Sequence, residues 1–110
     1  MQRYNEALAD LNRAIDLDSQ SAMALGNRGE VYRLLEQYDA AIADLNRAID
    51  LDSQAARSLG NRGEVYRLLG QYDAALLDFN RAIELLPDNE WLLHHRHLVE
   101  QALVQPPTNK

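Results

Sequence analysis

The chain has 110 residues, a single domain's length, and 17 Asp plus Glu against 11 Lys plus Arg give a formal net charge of -6. That balance argues against nucleic acid and anionic membrane as main partners, since both need a basic surface. The absence of cysteine removes disulfides, thiolate metal sites and thiol nucleophiles.

Apolar and small residues at helical spacing predict a first helix over 3–17. Leu25, Gly29, Tyr32 and Leu35 carry the next, over 22–35, and Tyr38, Ala41, Ile42, Leu45, Ala48 and Ile49 the third, over 38–51. Further helices are predicted over 56–69, 72–85 and 89–104, with no alternating strand pattern in competition. The connectors Glu36-Gln37 and Gly70-Gln71 are too short for anything but antiparallel neighbours. Pro87 cannot continue a helix, and the serines Ser19, Ser21, Ser53 and Ser58 stand where caps are expected. No apolar run approaches the ~20 residues of a membrane span. The opening Met1-Gln2-Arg3-Tyr4-Asn5-Glu6 lacks the apolar core of a secretory signal, so the cytoplasm is the expected compartment.

The strongest feature is self-similarity. Ala22 to Ala55 aligns without a gap on Ala56 to Asn89, with 23 identities in 34 positions, and Tyr4 to Ser21 aligns on Tyr38 to Ala55 with 14 in 18. A constant period of this size marks a stack of supersecondary units that bury their apolar faces on one another. The expected organisation is one domain over 1–104: a half unit 1–21, units 22–55 and 56–89, and a capping helix 90–104. Residues 105–110 are expected to form a flexible tail.

The residues Leu25, Gly29, Tyr32, Ala41, Leu45, Ala48 and Ser53, repeated as Leu59, Gly63, Tyr66, Ala75, Phe79, Ala82 and Pro87, resemble the tetratricopeptide repeat pattern. Arg28 and Arg62 depart from it, standing where Leu is usual, and Ser19 and Ser53 replace the terminal Pro. The resemblance implies an all-α, right-handed α-solenoid of antiparallel helix-turn-helix units, six helices in all. Gly29 and Gly63 suit a close approach of first helix to second. Gly26 and Gly60 are outside the family pattern and are expected to open a shallow place on their face.

Asp10, Asp44 and Asp78 repeat in step with Arg28, Arg62 and Arg96. Pairing within a unit leaves Asp10 and Arg96 over, whereas pairing each Asp with the Arg of the following unit closes three pairs. The survival of Arg96 in the degenerate last helix favours an inter-unit ladder Asp10–Arg28, Asp44–Arg62, Asp78–Arg96.

Little in the chain supports catalysis. There is no Gly-x-Ser-x-Gly turn and no glycine-rich phosphate loop after a strand. His94, His95, His97 and Glu100 form a tract too poor in ligands for a metal site, and Asp16-Leu17-Asp18 lacks the glycine and distal glutamate of a calcium loop. The chain is therefore read as a non-enzyme needing no cofactor or metal.

Binding is the remaining function. The resemblance implies that first helices line a concave groove for a peptide or partner protein. The matching residues are Met23, Asn27, Glu30 and Arg33, then Arg57, Asn61, Glu64 and Arg67, with Trp91 closing the array. Asn27 and Asn61 could bond a peptide backbone as a ladder. Glu30 with Arg33, and Glu64 with Arg67, are spaced to pair with each other. The clamp by which some relatives grip a C-terminal carboxylate has its basic positions at Gly26, Glu30, Gly60 and Glu64, residues that cannot form it. The alternative is a self-assembling structural module, a homo-oligomer built through the N-terminal half unit.

Overall fold

Six helices follow one another: α1 (Gln2–Leu17), α2 (Ala22–Leu34), α3 (Tyr38–Leu51), α4 (Ala56–Leu68), α5 (Tyr72–Leu85) and α6 (Glu90–Val104). They belong to a computed structural model that describes residues 2–105, so the expected tail from 106 onward lies outside the described residues. No strand occurs among the described residues, and the fold is an all-α stack of helical hairpins. α2 pairs with α3 and α4 with α5, while α1 and α6 flank the two hairpins.

The hairpin turns share one backbone solution. Gln37 N–H donates to Tyr32 O at 2.8 Å and Glu36 N–H to Arg33 O at 2.9 Å. Gln71 and Gly70 repeat this with Tyr66 O at 2.8 Å and Arg67 O at 3.0 Å. Such a helix end needs a left-handed residue. Gly70 supplies it freely at φ 79°, whereas Glu36 holds φ 62° with a side chain attached. Between units, where proline is usual, Asp18 and Asp52 accept from the N–H groups of Gln20 and Gln54 at 3.0 Å and turn the chain.

Of the four serines expected at caps, Ser21 caps α2 by accepting from Ala24 N–H at 3.1 Å. Ser58 does not cap. It lies inside α4, buried, with its Oγ over Gly26. α6 is capped instead by Asn89, whose Oδ1 accepts from Leu92 N–H at 2.9 Å.

Glycine sets the spacing inside each hairpin. A Cβ added at Gly29 would stand 2.7 Å from Leu45 Cγ, and one at Gly63 would stand 3.3 Å from both Phe79 Cδ2 and Ala75 O. Leu45 and Phe79 are fully buried, flanked by the fully buried alanines 41, 48, 75 and 82. Gly26 and Gly60 act between hairpins. Gly60 receives Leu92, whose Cδ2 would lie 2.6 Å from a Cβ there, and Gly26 receives Ser58. The shallow places expected at these glycines are thus filled by the next first helix.

The inter-unit carboxylate ladder does not form. Arg28 donates through Nε and Nη2 to Asp44 at 2.6 and 2.8 Å, and Arg62 donates likewise to Asp78 at 2.8 Å for both bonds. Both pairs lie within a hairpin, because the glycine after each arginine brings the two helices close enough for the fork to lie flat on the carboxylate. The third nitrogen crosses to the preceding unit, where the acceptor is an asparagine: Nη1 of Arg28, Arg62 and Arg96 donates to Asn12, Asn46 and Asn80 at 2.9, 2.9 and 3.1 Å. The hydrogen bond to the carboxylate, more than any other cause, holds Arg28 and Arg62 above the ordinary arginine pKa, so the forks stay charged throughout the working pH range. Arg96 has no aspartate, and its buried Nε lacks a hydrogen-bond partner.

Two outcomes follow from this geometry. Glu36→Gly relieves a left-handed residue and raises the unfolding free energy by about 0.5–1 kcal/mol in a urea titration, while Gly70→Ala lowers it by a similar amount. Asp44→Asn lowers it by about 2 kcal/mol, whereas Asp10→Asn, on an exposed site, changes it by less than about 0.5 kcal/mol. Equal losses from the two aspartate variants would reinstate the inter-unit pairing.

Candidate functional site

α2, α4 and α6 lie side by side, and their shared face carries the residues expected to bind a partner. Two clefts open on it. The first, about 400 Å³, is lined by Glu30, Arg33, Arg57, Asn61 and Trp91 together with Leu86, Asn89 and Leu92. The second, about 350 Å³, gathers Met23, Asn27 and Arg57 with Gly26 and Ser58. Glu64 and Arg67 line neither.

Most polar groups of the first cleft already serve one another. Asn61, buried in α4, accepts from Arg33 Nε at 2.9 Å and donates to Glu30 Oε1 at 3.4 Å. Arg57 closes on the same Glu30 oxygen through Nε at 2.9 Å and Nη2 at 2.8 Å. The expected Glu30–Arg33 pair is therefore replaced by bonds from each residue into the next unit. Glu64 and Arg67 do pair as expected, with two bonds at 2.9 and 2.7 Å. Glu64 is only 6% exposed, and its hydrogen bond is the main cause that lifts Arg67 above the ordinary arginine value.

The register explains the difference. Glu30 finds Arg57 on the next first helix, but the residue equivalent to Arg57 beside Glu64 is Trp91. Arg33 finds Asn61, but the residue equivalent to Asn61 beside Arg67 is His95. Glu64 and Arg67 therefore turn to each other, and His95 Nε2 approaches Glu64 at 3.9 Å.

Trp91 forms the wall at the α6 end. Its ring stacks on His95 with centroids 4.0 Å apart, and the His95 Nδ1 meets the Trp91 carbonyl at 2.8 Å, which fixes the imidazole against the indole. The Arg33 guanidinium lies 5.7 Å from the Trp91 centroid, within cation–π range. Leu86 and Leu92 add apolar lining, and Arg57 presents a cation that is 75% exposed. Sequence reasoning passed over Leu86, Asn89 and Leu92. They lie where the repeat breaks down, so no equivalent residue in another unit pointed to them. The glycine at 60 was the one sign that something seats there. Among the described residues no group of three or more acidic or histidine side chains is placed to hold a metal. No helix among the described residues is long and apolar enough to cross a membrane.

The tetratricopeptide repeat family profile matches residues 20–88. No curated protein matches the chain. Among solved structures, the first tetratricopeptide domain of Spaghetti (RPAP3) bound to the HSP90 peptide SRMEEVD superposes with a TM-score of 0.89 at 26% identity, covering 94% of this chain and 82% of that one. The second tetratricopeptide domain of human RPAP3, in complex with the HSP70 peptide SGPTIEEVD, gives 0.81 at 26% identity over 90% and 82%. MamA gives 0.83 at 27% identity, covering 91% of this chain and 55% of that one. The repeat period, the hairpin packing and these matches together place the chain in the tetratricopeptide repeat family.

Proposed function

We propose that the chain is a protein-interaction scaffold that takes a peptide segment of a partner protein across the face of α2, α4 and α6. The observation that carries this is the first cleft: an indole wall and two leucines beside the Arg57 guanidinium, which stays 75% exposed while paired with Glu30. Aromatic and arginine side chains are the usual anchors of such contacts. An apolar side chain of the partner would lie on Trp91 and a neighbouring carboxylate would meet Arg57.

Two of the structural relatives carry chaperone peptides that end in Glu-Glu-Val-Asp. The positions of the basic clamp that the resemblance implies are here Gly26, Glu30, Gly60 and Glu64. Glu30 and Glu64 are held in ion pairs, and Gly60 is covered by Leu92. We therefore infer a partner that is not anchored by its terminal carboxylate in that way. Docking of α6 on α4 and α5 of its own chain supports this reading over self-assembly.

A random-peptide phage selection, followed by calorimetry and Trp91 fluorescence, tests the proposal. Trp91 is the single tryptophan of the chain, so its emission reports the cleft directly. Selected peptides should shift that emission, and Trp91→Ala or Arg57→Glu should weaken binding about tenfold or more, with helical content unchanged by circular dichroism. Peptides that bind both variants as tightly as wild type would overturn it.

A further inference from the structure

The two clefts share one construction. Moved on by 34 residues, Met23, Asn27, Asp52, Ala55, Arg57 and Ser58 of the second become Arg57, Asn61, Leu86, Asn89, Trp91 and Leu92 of the first. One cleft lies at the junction of α2 with α4 and the other at the junction of α4 with α6, so helices of this chain enclose both. Their floors match as well: Ser58 covers Gly26 as Leu92 covers Gly60.

The chemistry of the two is opposite. Trp91, Leu86 and Leu92 give the first cleft an indole wall, a leucine rim and a leucine floor. In the second the same places hold the guanidinium of Arg57, the carboxylate of Asp52 and the hydroxyl of Ser58. Asp52 commits Oδ1 to Gln54 N–H, and Arg57 commits Nε and Nη2 to Glu30. That leaves an acceptor at Asp52 Oδ2 and a donor at Arg57 Nη1 on the same cleft.

Resting on the scaffold reading above, we propose that one partner segment fills both clefts, and that the second selects a carboxamide side chain, Asn or Gln, where the first takes an apolar one. A carboxamide oxygen accepts from Arg57 while its nitrogen donates to Asp52, and Asn27 and Ser58 offer further partners to either end. A carboxylate in that cleft meets the like charge of Asp52, and an ammonium meets that of Arg57. An aliphatic side chain finds only Met23, whose exposed thioether suits the stem of a Gln. Arg57 lines both clefts, so the path between them is continuous, and the carboxylate expected to meet Arg57 falls between the two anchors. Packed helices stand about 8–10 Å apart, which an extended chain crosses in about three residues.

The phage-selected peptides are truncated residue by residue to alanine and titrated calorimetrically against the full chain. Two anchors should emerge about three positions apart, one apolar and one Asn or Gln. Truncation of the amide should weaken binding about fivefold. That loss should vanish in Asp52→Ala and persist in Trp91→Ala, whereas the loss from the apolar anchor should vanish in Trp91→Ala. Asp52→Lys should turn the preference at the amide position to Glu. With the chain unaltered, replacing the peptide amide by Glu should weaken binding at least as much as alanine does, a result that needs no folded variant. Peptides that respond to Trp91→Ala but show no amide anchor, or whose amide is indifferent to Asp52, would overturn this inference and leave the scaffold reading standing. Peptides indifferent to Trp91 and Arg57 would overturn both.

Discussion

The closeness of each first helix to its second is the constraint from which the rest of the stack follows. Gly29 over Leu45 and Gly63 over Phe79 leave no room for a methyl group without displacing a fully buried neighbour or the backbone of Ala75. A glycine inside a helix costs about 0.5–1 kcal/mol against alanine, and the dense packing of the adjoining alanines and of Leu45 or Phe79 offsets it. The same closeness lets the arginine before the glycine lie across the hairpin onto Asp44 or Asp78. Its remaining nitrogen is then in reach of the preceding unit. One side chain thereby joins three helices, and the register between units comes from the spacing within them.

Much of this was legible in the amino-acid sequence, for a physical reason. Helical spacing and a period of constant length are properties of the apolar pattern, and they survive any choice of polar partner. The helix limits, the pairing of neighbours and the close approach at Gly29 and Gly63 all rest on that pattern. The arginine partners do not. Asp44 follows Arg28 by sixteen residues and Asn12 precedes it by sixteen, while Asp10 precedes it by eighteen. A repeat aligns all three equally well, and charge alone favoured the carboxylates. The structure divides the guanidinium between one carboxylate and one amide, an outcome set by the reach of the side chain. Ser58 was misplaced for a similar reason: serine is common at caps, but here the hydroxyl fills the space above Gly26.

The cleft was legible only in part. Glu30, Arg33, Arg57, Asn61 and Trp91 come together, but Asn61 spends its amide on Arg33 and Glu30. Its side chain therefore belongs to the framework of the cleft at least as much as to its surface. Asn27 opens onto the second cleft, a separate place. An asparagine ladder spanning both positions would require Asn61 to give up two internal bonds. The part of the cleft that the repeat did not point to, Leu86, Asn89 and Leu92, stands where the copies differ, opposite Asp52, Ala55 and Ser58 of the unit before.

Residues 29–35 and 63–69 have the same sequence, Gly-Glu-Val-Tyr-Arg-Leu-Leu, yet their charged groups have different partners. The glutamate of the first reaches Arg57 in the following unit, and that of the second closes on its own Arg67. Local sequence is identical, so the difference lies wholly in what stands next: Arg57 and Asn61 in one case, Trp91 and His95 in the other. A stack of like units therefore does not place like chemistry on each unit. Inside the array, periodic neighbours absorb one another's charges. Where the period breaks, at Trp91, the indole leaves Glu64 to its own arginine and Arg33 beside an aromatic face. The exposed combination of apolar wall and cation arises there because the last first-type helix abandons the pattern that the others keep.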